Sequence, residues 1–227
     1  MRLSSVAWPE LSAPAARVLL LPLGATEQHG PHLPLATDTI IARALADAVG
    51  AERPDVAVAP VLPYGSSGEH AGFPGTLSLG QVGLELAVVE LIRSADRFDA
   101  VVVFSWHGGN DEPLRRAAER LRDEGRNVAV WDPSPVDDGD LHAGRIETSL
   151  MLALAPELVG DERPAEAAEP LEQLLPMLRA GGVAAVSRSG VLGDASRATA
   201  EQGAVLVDML ASRLADFVDG VMTGLRP

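Results

Sequence analysis

Cysteine is absent from this chain of 227 residues. Its absence excludes disulfide bonds, thiolate zinc sites and cysteine nucleophiles. Aromatic residues are also scarce, at 4% of the chain, although hydrophobic residues make up 47%. The core must therefore be built mostly from alanine, valine and leucine. Any metal ion must be held by histidine, aspartate or glutamate.

Lysine is absent as well, so all 18 basic residues are arginine, against 32 acidic residues and a net charge of −14. Phosphate backbones and anionic lipid surfaces bind proteins through clustered positive charge. The acidic balance therefore argues against nucleic acid or a membrane as the main partner.

Long apolar runs are missing too. No run approaches the roughly 18 residues that a membrane-spanning helix needs, and residues 1–9 lack the apolar segment of a signal peptide. We expect a cytoplasmic protein. No linker-like segment divides the sequence, so we expect residues 1–227 to form a single domain. Neither a P-loop nor a dinucleotide fingerprint is present, and without a GxSxG motif a serine hydrolase is disfavoured.

Short apolar runs alternate with amphipathic segments along most of the chain. This alternation predicts an α/β fold with a mostly parallel sheet and helices on both faces. Residues 160–197 show no clear pattern. The predicted strands are 17–23, 56–62, 100–104 and 127–131, and the predicted helices are 37–48, 80–97, 111–124, a segment from His142 to Ala155, and 198–222.

The loop at residues 24–38 follows the first predicted strand and carries an unusual set of polar groups. Glu27 and His29 are two residues apart, so an extended backbone points both to one side. Asp38 opens the next helix, where the helix dipole favours a carboxylate. In open α/β sheets the functional site lies at the carboxyl ends of the strands. Taken singly, these residues would most simply be capping, surface or backbone-bonded side chains.

Two later segments offer matching groups. His107 ends the third predicted strand, and Glu147 lies on a helix five residues after His142. Alone, His107 would be a hydrogen-bonded histidine at a strand end, and Glu147 would balance Arg145 or face solvent. Together the candidate ligands suit two divalent ions with one bridging carboxylate, and zinc, manganese and iron fit equally well. The full set is Glu27, His29, Asp38, His107 and Glu147.

The segment at residues 63–79 is long for a loop without structure of its own, which favours a role in binding. Within it, Glu69 and His70 are either substrate-facing residues or part of an ordinary polar turn. Trp106 either walls a pocket or fills the core. Residues 179–187 either meet a substrate carboxylate through arginine or form a surface hairpin.

Five motifs together resemble the creatininase family of metal-dependent amidohydrolases. Four of them are TEQHGPHLPLATD at 26–38, SSGEHAGFPGTLSL at 66–79, HGGN at 107–110 and HAGRIETSLMLAL at 142–154. The fifth, EPLEQLLPMLRAGGVAAVSRSGVLGD at 169–194, is similar to the branch of that family found in mycofactocin biosynthesis. The resemblance implies a three-layer α/β/α sandwich and a homo-oligomer, often a hexamer.

The resemblance also implies roles for individual residues. Glu27, Asp38 and His107 would hold one metal ion. His29, the bridging Asp38 and a further carboxylate would hold the other, and His32 would lie behind them.

One position departs from the family pattern. Creatininase carries that further carboxylate two residues after the histidine, where this chain has Gly109, so Glu147 becomes the expected replacement. The departure also argues against creatinine as substrate. His142 matches a histidine assigned to proton transfer or to polarising the substrate.

The branch implies a substrate as well. Its members are expected to cleave the modified, Val-Tyr-derived end from a ribosomally made precursor peptide. One alternative is hydrolysis of a small cyclic or formyl amide. Another, of a different class, is a non-catalytic metal-binding subunit of a peptide-modifying complex.

Overall fold

Four parallel strands form the central sheet in the computed structural model, which describes residues 1–12, 16–133 and 139–224. The strands are β1 (Val18–Leu23), β2 (Val56–Val58), β3 (Ala100–Ser105) and β4 (Val128–Trp131), in the order β2-β1-β3-β4. Every residue of the two central strands, β1 and β3, is buried. A parallel sheet covered on both faces explains why these segments are continuously apolar rather than alternating.

Helices cover both faces of this sheet. On one face lie α1 (Thr37–Glu52), α4 (Arg145–Leu154) and α6 (Ala200–Gly224), and on the other lie α2 (Gly80–Arg93) and α3 (Asp111–Asp123). Strand β3 shows the division, because successive side chains point to opposite faces. Val102 and Phe104 pack in the first core, and Val101 and Val103 pack in the second. The predicted α/β/α sandwich with a parallel sheet is confirmed.

Several predicted boundaries were wrong. Helix α1 runs through Gly50 to Glu52. A side chain at Gly50 would meet Val58 of β2, so glycine at this position lets the helix pack closely against the sheet. Strand β2 stops at Val58 instead of residue 62, just before Pro60, which has no amide hydrogen for the sheet. Helix α2 ends at Arg93, four residues earlier than predicted.

Residues 160–197 contain more regular structure than the sequence indicated. Helix α5 (Leu171–Gly181) is followed by a short 3-10 turn at Val183–Ala185, and β5 (Ala165–Glu166) pairs antiparallel with β6 (Gly193–Asp194). Of the two alternatives for residues 179–187, the surface hairpin was therefore wrong. Gly182 ends α5 with a φ of 68°, a positive value that glycine adopts readily.

None of the helices in the described ranges is long and apolar enough to cross a membrane.

Candidate metal centre

The carboxyl ends of β1 and β3 bring two of the predicted segments together. The strands are neighbours in register, with Leu23 opposite Ser105. The buried side chain of Asn110 joins them to the 63–79 loop. Its Oδ1 accepts a hydrogen bond from the amide of Ser66 at 2.8 Å, and its Nδ2 donates to the carbonyl of Gly24 at 3.1 Å. Three chain segments are therefore fixed around one point.

Glu27 lies at the centre of this region with no exposed surface. Its Oε1 is 3.1 Å from His107 Nδ1 and 3.2 Å from His70 Nε2. Neither carboxylate oxygen has a hydrogen-bond partner among the described residues. A buried carboxylate normally has its oxygens satisfied. Two imidazole nitrogens lie near Oε1, and Glu27 still has room to bind a further partner such as a metal ion.

Asp38 lies between two imidazoles in the first turn of α1. Its Oδ1 is 3.2 Å from His29 Nε2, and its Oδ2 is 3.9 Å from His107 Nδ1. Oδ2 also lacks a hydrogen-bond partner among the residues described. One carboxylate therefore faces two different histidines through its two oxygens.

Glu147 approaches the same point from the first turn of α4. Its Oε2 is 3.8 Å from His29 Nε2 and 4.0 Å from His142 Nδ1. The indole of Trp106 donates to Glu147 Oε1 at 2.8 Å, and the amide of Ala143 donates to Oε2 at 2.6 Å. Trp106, expected as a pocket wall or core residue, thus holds this carboxylate in place.

The electrostatics of the cluster reflect its excess of carboxylates. Burial opposes ionisation of Glu27, yet the surrounding imidazoles, His107 foremost, outweigh it and hold its pKa well below the usual range. Burial likewise opposes protonation of His29 and His107, but the carboxylates raise both pKa values to about 10. Burial and neighbouring histidines lower the pKa of His70 to about 2 and that of His142 below its ordinary value. Without a metal ion, protons on two histidines offset the carboxylate charge.

These residues fit a metal ion. Three groups each place their nitrogen and oxygen atoms within 4.8 Å of one another. The donors are imidazole and carboxylate, which suit zinc, manganese or iron. The oxygens of Glu27 and Asp38 that lack a hydrogen-bond partner among the described residues have lone pairs that could bind such an ion. The groups are Glu27–His29–His142, Glu27–His70–His107 and His29–Asp38–Glu147.

Gly109 occupies the position at which the family resemblance predicts a carboxylate. A side chain there would strike Glu69 Oε1, His107 Nε2 and the carbonyl of Ser66. Glu69 reaches over this glycine, with its Oε1 3.4 Å from His107 Nε2 and its side chain 34% exposed. The space beside His107 is therefore filled from the 63–79 loop.

Some features of the site could not be predicted from the sequence. His70 was expected either to face substrate or to lie in a polar turn, but it is 3% exposed and stands among the carboxylates. Gln28 and Asn110 are buried polar residues that hold the site together, and neither was proposed for a role. The signal that could have identified Gln28 was its position between two candidate ligands, Glu27 and His29. His32 lies outside the cluster, with its Nε2 2.8 Å from Thr148 Oγ1.

Comparisons with known proteins agree with this architecture. The model of the family described as creatininase, creatinine amidohydrolase, matches residues 4–218. The chain belongs to the creatininase family. It is 48% identical to the mycofactocin precursor peptide peptidase of Mycolicibacterium smegmatis, over 88% of this chain and 84% of that protein. It is 32% identical to the creatinine amidohydrolase of Pseudomonas putida, over 93% of each chain.

Solved creatininase structures share the fold. A crystal structure of creatinine amidohydrolase superimposes with a TM-score of 0.79 at 28% identity, covering 100% of this chain and 98% of the other. A creatininase structure whose name specifies manganese gives a TM-score of 0.76 at 27% identity, covering 100% and 99%. The protein is thus a creatininase-family hydrolase with side chains able to hold metal.

Proposed function

We propose that this protein is a metal-dependent peptidase that removes the modified, Val-Tyr-derived end of the mycofactocin precursor peptide. The observation that carries the chemistry is the buried carboxylate–imidazole cluster, whose Glu27 oxygens have no partner among the described residues. The substrate rests on the similarity to peptidases of that name. One creatininase-like domain over residues 1–227 would suffice for this activity.

Two divalent metal ions, zinc, iron or manganese, fit the cluster best. One ion would be held by Glu27, Asp38 and His107, where the carboxylates lie 3.1 Å and 3.9 Å from His107 Nδ1. When bound, such ions polarise an amide carbonyl and favour deprotonation of water.

The other ion would be held by His29, Asp38 and Glu147, whose donor atoms lie within 4.8 Å of one another. Asp38 would then serve both ions, because its two oxygens face His29 and His107 separately. Glu147 replaces the carboxylate that Gly109 does not provide.

His142 is suited to moving a proton. Its Nε2 lies 2.8 Å from the main-chain carbonyl of Gln28, so this nitrogen carries the hydrogen. Nδ1 is left bare and faces Glu27 and Glu147 at 3.9 Å and 4.0 Å. Burial lowers the pKa of His142, which favours a neutral ring that can accept a proton on Nδ1. Glu147, whose Oε2 lies 4.0 Å from His142 Nδ1, would assist this proton transfer.

The substrate would enter past Glu69. Beside it lies a cleft of about 390 Å³ between the 63–79 loop and the end of α5. Glu69 lines this cleft and also has its Oε1 3.4 Å from His107 Nε2, so a peptide lying there would contact a residue that borders the cluster. Glu69, His70 and Trp106 are the proposed substrate-side residues. A homo-oligomer and a cytoplasmic location stay predictions from the sequence.

The test is an assay of metal-loaded protein on the modified precursor peptide, with release of the C-terminal fragment followed by mass spectrometry. Wild type and Glu119→Gln, a matched exposed variant on α3, should release the fragment. Glu27→Gln should not. If metal-loaded wild type releases nothing from the peptide but hydrolyses small cyclic or formyl amides, the peptidase function is wrong and the alternative amidohydrolase function is supported.

A second arm addresses the non-catalytic alternative. Glu27→Gln should abolish mycofactocin production in cells as well as lower the metal content. Loss of metal with unchanged pathway output would mean that the protein binds metal without catalysing the reaction.

A further inference from the structure

The side-chain amide of Gln28 is buried beside the cluster, with 5% of the residue exposed. Its orientation is fixed by two neighbouring groups, one a hydrogen-bond donor and the other an acceptor. Oε1 accepts a hydrogen bond from the amide of Gly30 at 2.9 Å, and Nε2 donates to the carbonyl of Gly190 at 3.1 Å. Exchanging the two ends of the amide would oppose donor to donor and acceptor to acceptor. The nitrogen must therefore face the histidines.

The turn that supplies the Gly190 carbonyl is built to meet this amide. Gly190 has a φ of 86°, and a side chain there would strike the amide group of Gln28. Glu166 holds the turn from behind, accepting hydrogen bonds from the amides of Arg188 and Ser189 at 2.9 Å each. Glycine at this position lets the backbone approach the amide closely.

Only one histidine can accept the remaining amide hydrogen. His142 Nε2 is 3.1 Å from Gln28 Nε2, but it is also 2.8 Å from the main-chain carbonyl of Gln28. A ring nitrogen so close to a carbonyl oxygen must carry a hydrogen, so it cannot accept a second one. The amide therefore donates to His70 Nδ1, which lies 2.9 Å away.

This donation fixes the tautomer of His70. Because Nδ1 accepts, a neutral His70 carries its hydrogen on Nε2, the nitrogen 3.2 Å from Glu27 Oε1. We propose that Gln28 is a positioning residue that makes His70 turn an N–H, and not a lone pair, toward the carboxylate cluster. His70 is then a hydrogen-bond donor within the site and not a metal ligand, although its distance alone would allow ligation.

The other three histidines around the cluster behave in the opposite way. His107 Nε2 lies 3.0 Å from the carbonyl of Ser66, and His29 Nδ1 lies 3.1 Å from the carbonyl of Glu27. Each backbone carbonyl takes the hydrogen of one ring nitrogen and leaves the other nitrogen available to the cluster, as it does for His142. Partners of this kind commonly set the tautomer of a metal-binding histidine. Of these four histidines, His70 alone has a hydrogen-bond donor, Gln28 Nε2, facing the ring nitrogen that points away from the cluster.

The use of the His70 N–H in the reaction rests on the proposed function. A fixed donor aimed into a buried site can stabilise the negative charge that develops on the oxygen of a hydrolysed amide. The tautomer itself does not depend on any reaction.

The test is the two-bond proton–nitrogen NMR spectrum of the imidazoles, recorded without substrate on metal-free and zinc-loaded protein. The chain has five histidines, so single substitutions can assign them. In wild type we expect His70 with its hydrogen on Nε2 and a bare Nδ1, in both forms. A hydrogen on His70 Nδ1, or a bare Nε2 in the zinc-loaded protein, would overturn the proposal.

Variants of Gln28 test its part. Gln28→Met removes the donor at similar length and should release His70 into a mixture of tautomers. Gln28→Glu replaces the donor by an acceptor and should move the His70 hydrogen to Nδ1. Gln81→Glu, an exposed change on α2, should leave the spectrum unchanged. An unaltered His70 signal in a folded Gln28→Met protein would show that Gln28 does not set the tautomer.

Zinc content separates a donor from a ligand and remains informative if the Gln28 variants fail to fold. His70→Gln should bind zinc at the wild-type stoichiometry, whereas His107→Gln should lose zinc. Loss of zinc in a folded His70→Gln protein would contradict the proposal. The NMR and zinc measurements require no turnover, so a failure of the proposed function would leave their results intact, and the reverse also holds.

Discussion

The two sides of the candidate metal centre are built differently. One side carries the charged groups. Glu27 and His107 follow the ends of β1 and β3, and Asp38 and Glu147 lie in the first turns of α1 and α4. The other side, from residues 160–197, contributes backbone groups. Leu192 exchanges main-chain hydrogen bonds with His142, and Gly190 accepts from Gln28. The first side supplies the chemistry, and the second orients the side chains that perform it.

Removing the bridging carboxylate should have the largest effect on the first side. Asp38→Asn takes a charge from both proposed ion positions, so metal content should fall and activity should drop more than the roughly 10- to 100-fold that loss of an outer partner costs. Asp47→Asn on the same helix breaks only a surface ion pair with Arg2 and serves as control. Metal analysis and peptide assays check this, and wild-type metal content in Asp38→Asn would count against bridging.

A smaller effect is expected at Trp106, which is not a proposed ligand but donates a hydrogen bond to the ligand Glu147. Trp106→Phe keeps the ring but removes the hydrogen bond to Glu147 Oε1, so affinity for the second metal ion should weaken about 10- to 100-fold. Trp8→Phe, at a residue 80% exposed, is the matched control. Chelator competition measures both, and equal affinities would mean that Trp106 only packs.

Metal binding should depend on pH because ligands must lose their protons. Without metal the pKa values of His29 and His107 are raised to about 10, so both rings are protonated at neutral pH. Metal affinity should therefore rise with pH by about tenfold per pH unit for each proton displaced. The rise should stop once the pH exceeds these pKa values. Calorimetry in buffers of different ionisation enthalpy would measure the protons released. No proton release would contradict ligation by these two histidines.

The smallest effect is expected on the second side, at Glu166. Glu166→Gln weakens the hydrogen bonds that hold the turn at residues 187–190, which should lower the free energy of unfolding by about 1 kcal/mol. Metal content should stay unchanged because no ligand is touched. Thermal melts against the exposed control Glu162→Gln check this. A loss of metal would show that the turn matters to the ligands directly.

The sequence predicted the first side well and the second side poorly. Buried parallel strands need continuous apolar runs, so β1 and β3 were visible, and with them the places where Glu27 and His107 emerge. The fold class and the family were confirmed. Residues 160–197 gave little signal, because their conformation depends on contacts with distant segments, as at Gly190 and Gln28.

The burial of His70 could not be anticipated for a similar reason. The 63–79 loop has no periodicity that tells inside from outside, and His70 is held by Gln28 from another segment. The filling of the space over Gly109 by Glu69 likewise depends on two segments far apart in the chain.

Anomalous diffraction from crystals grown with saturating zinc would locate the metal ions. We expect two peaks that share Asp38, one beside Glu27 and His107 and the other beside His29 and Glu147, with none bound to His70. Saturated crystals with no peak among these residues would show that the buried carboxylate–imidazole cluster is not a metal centre.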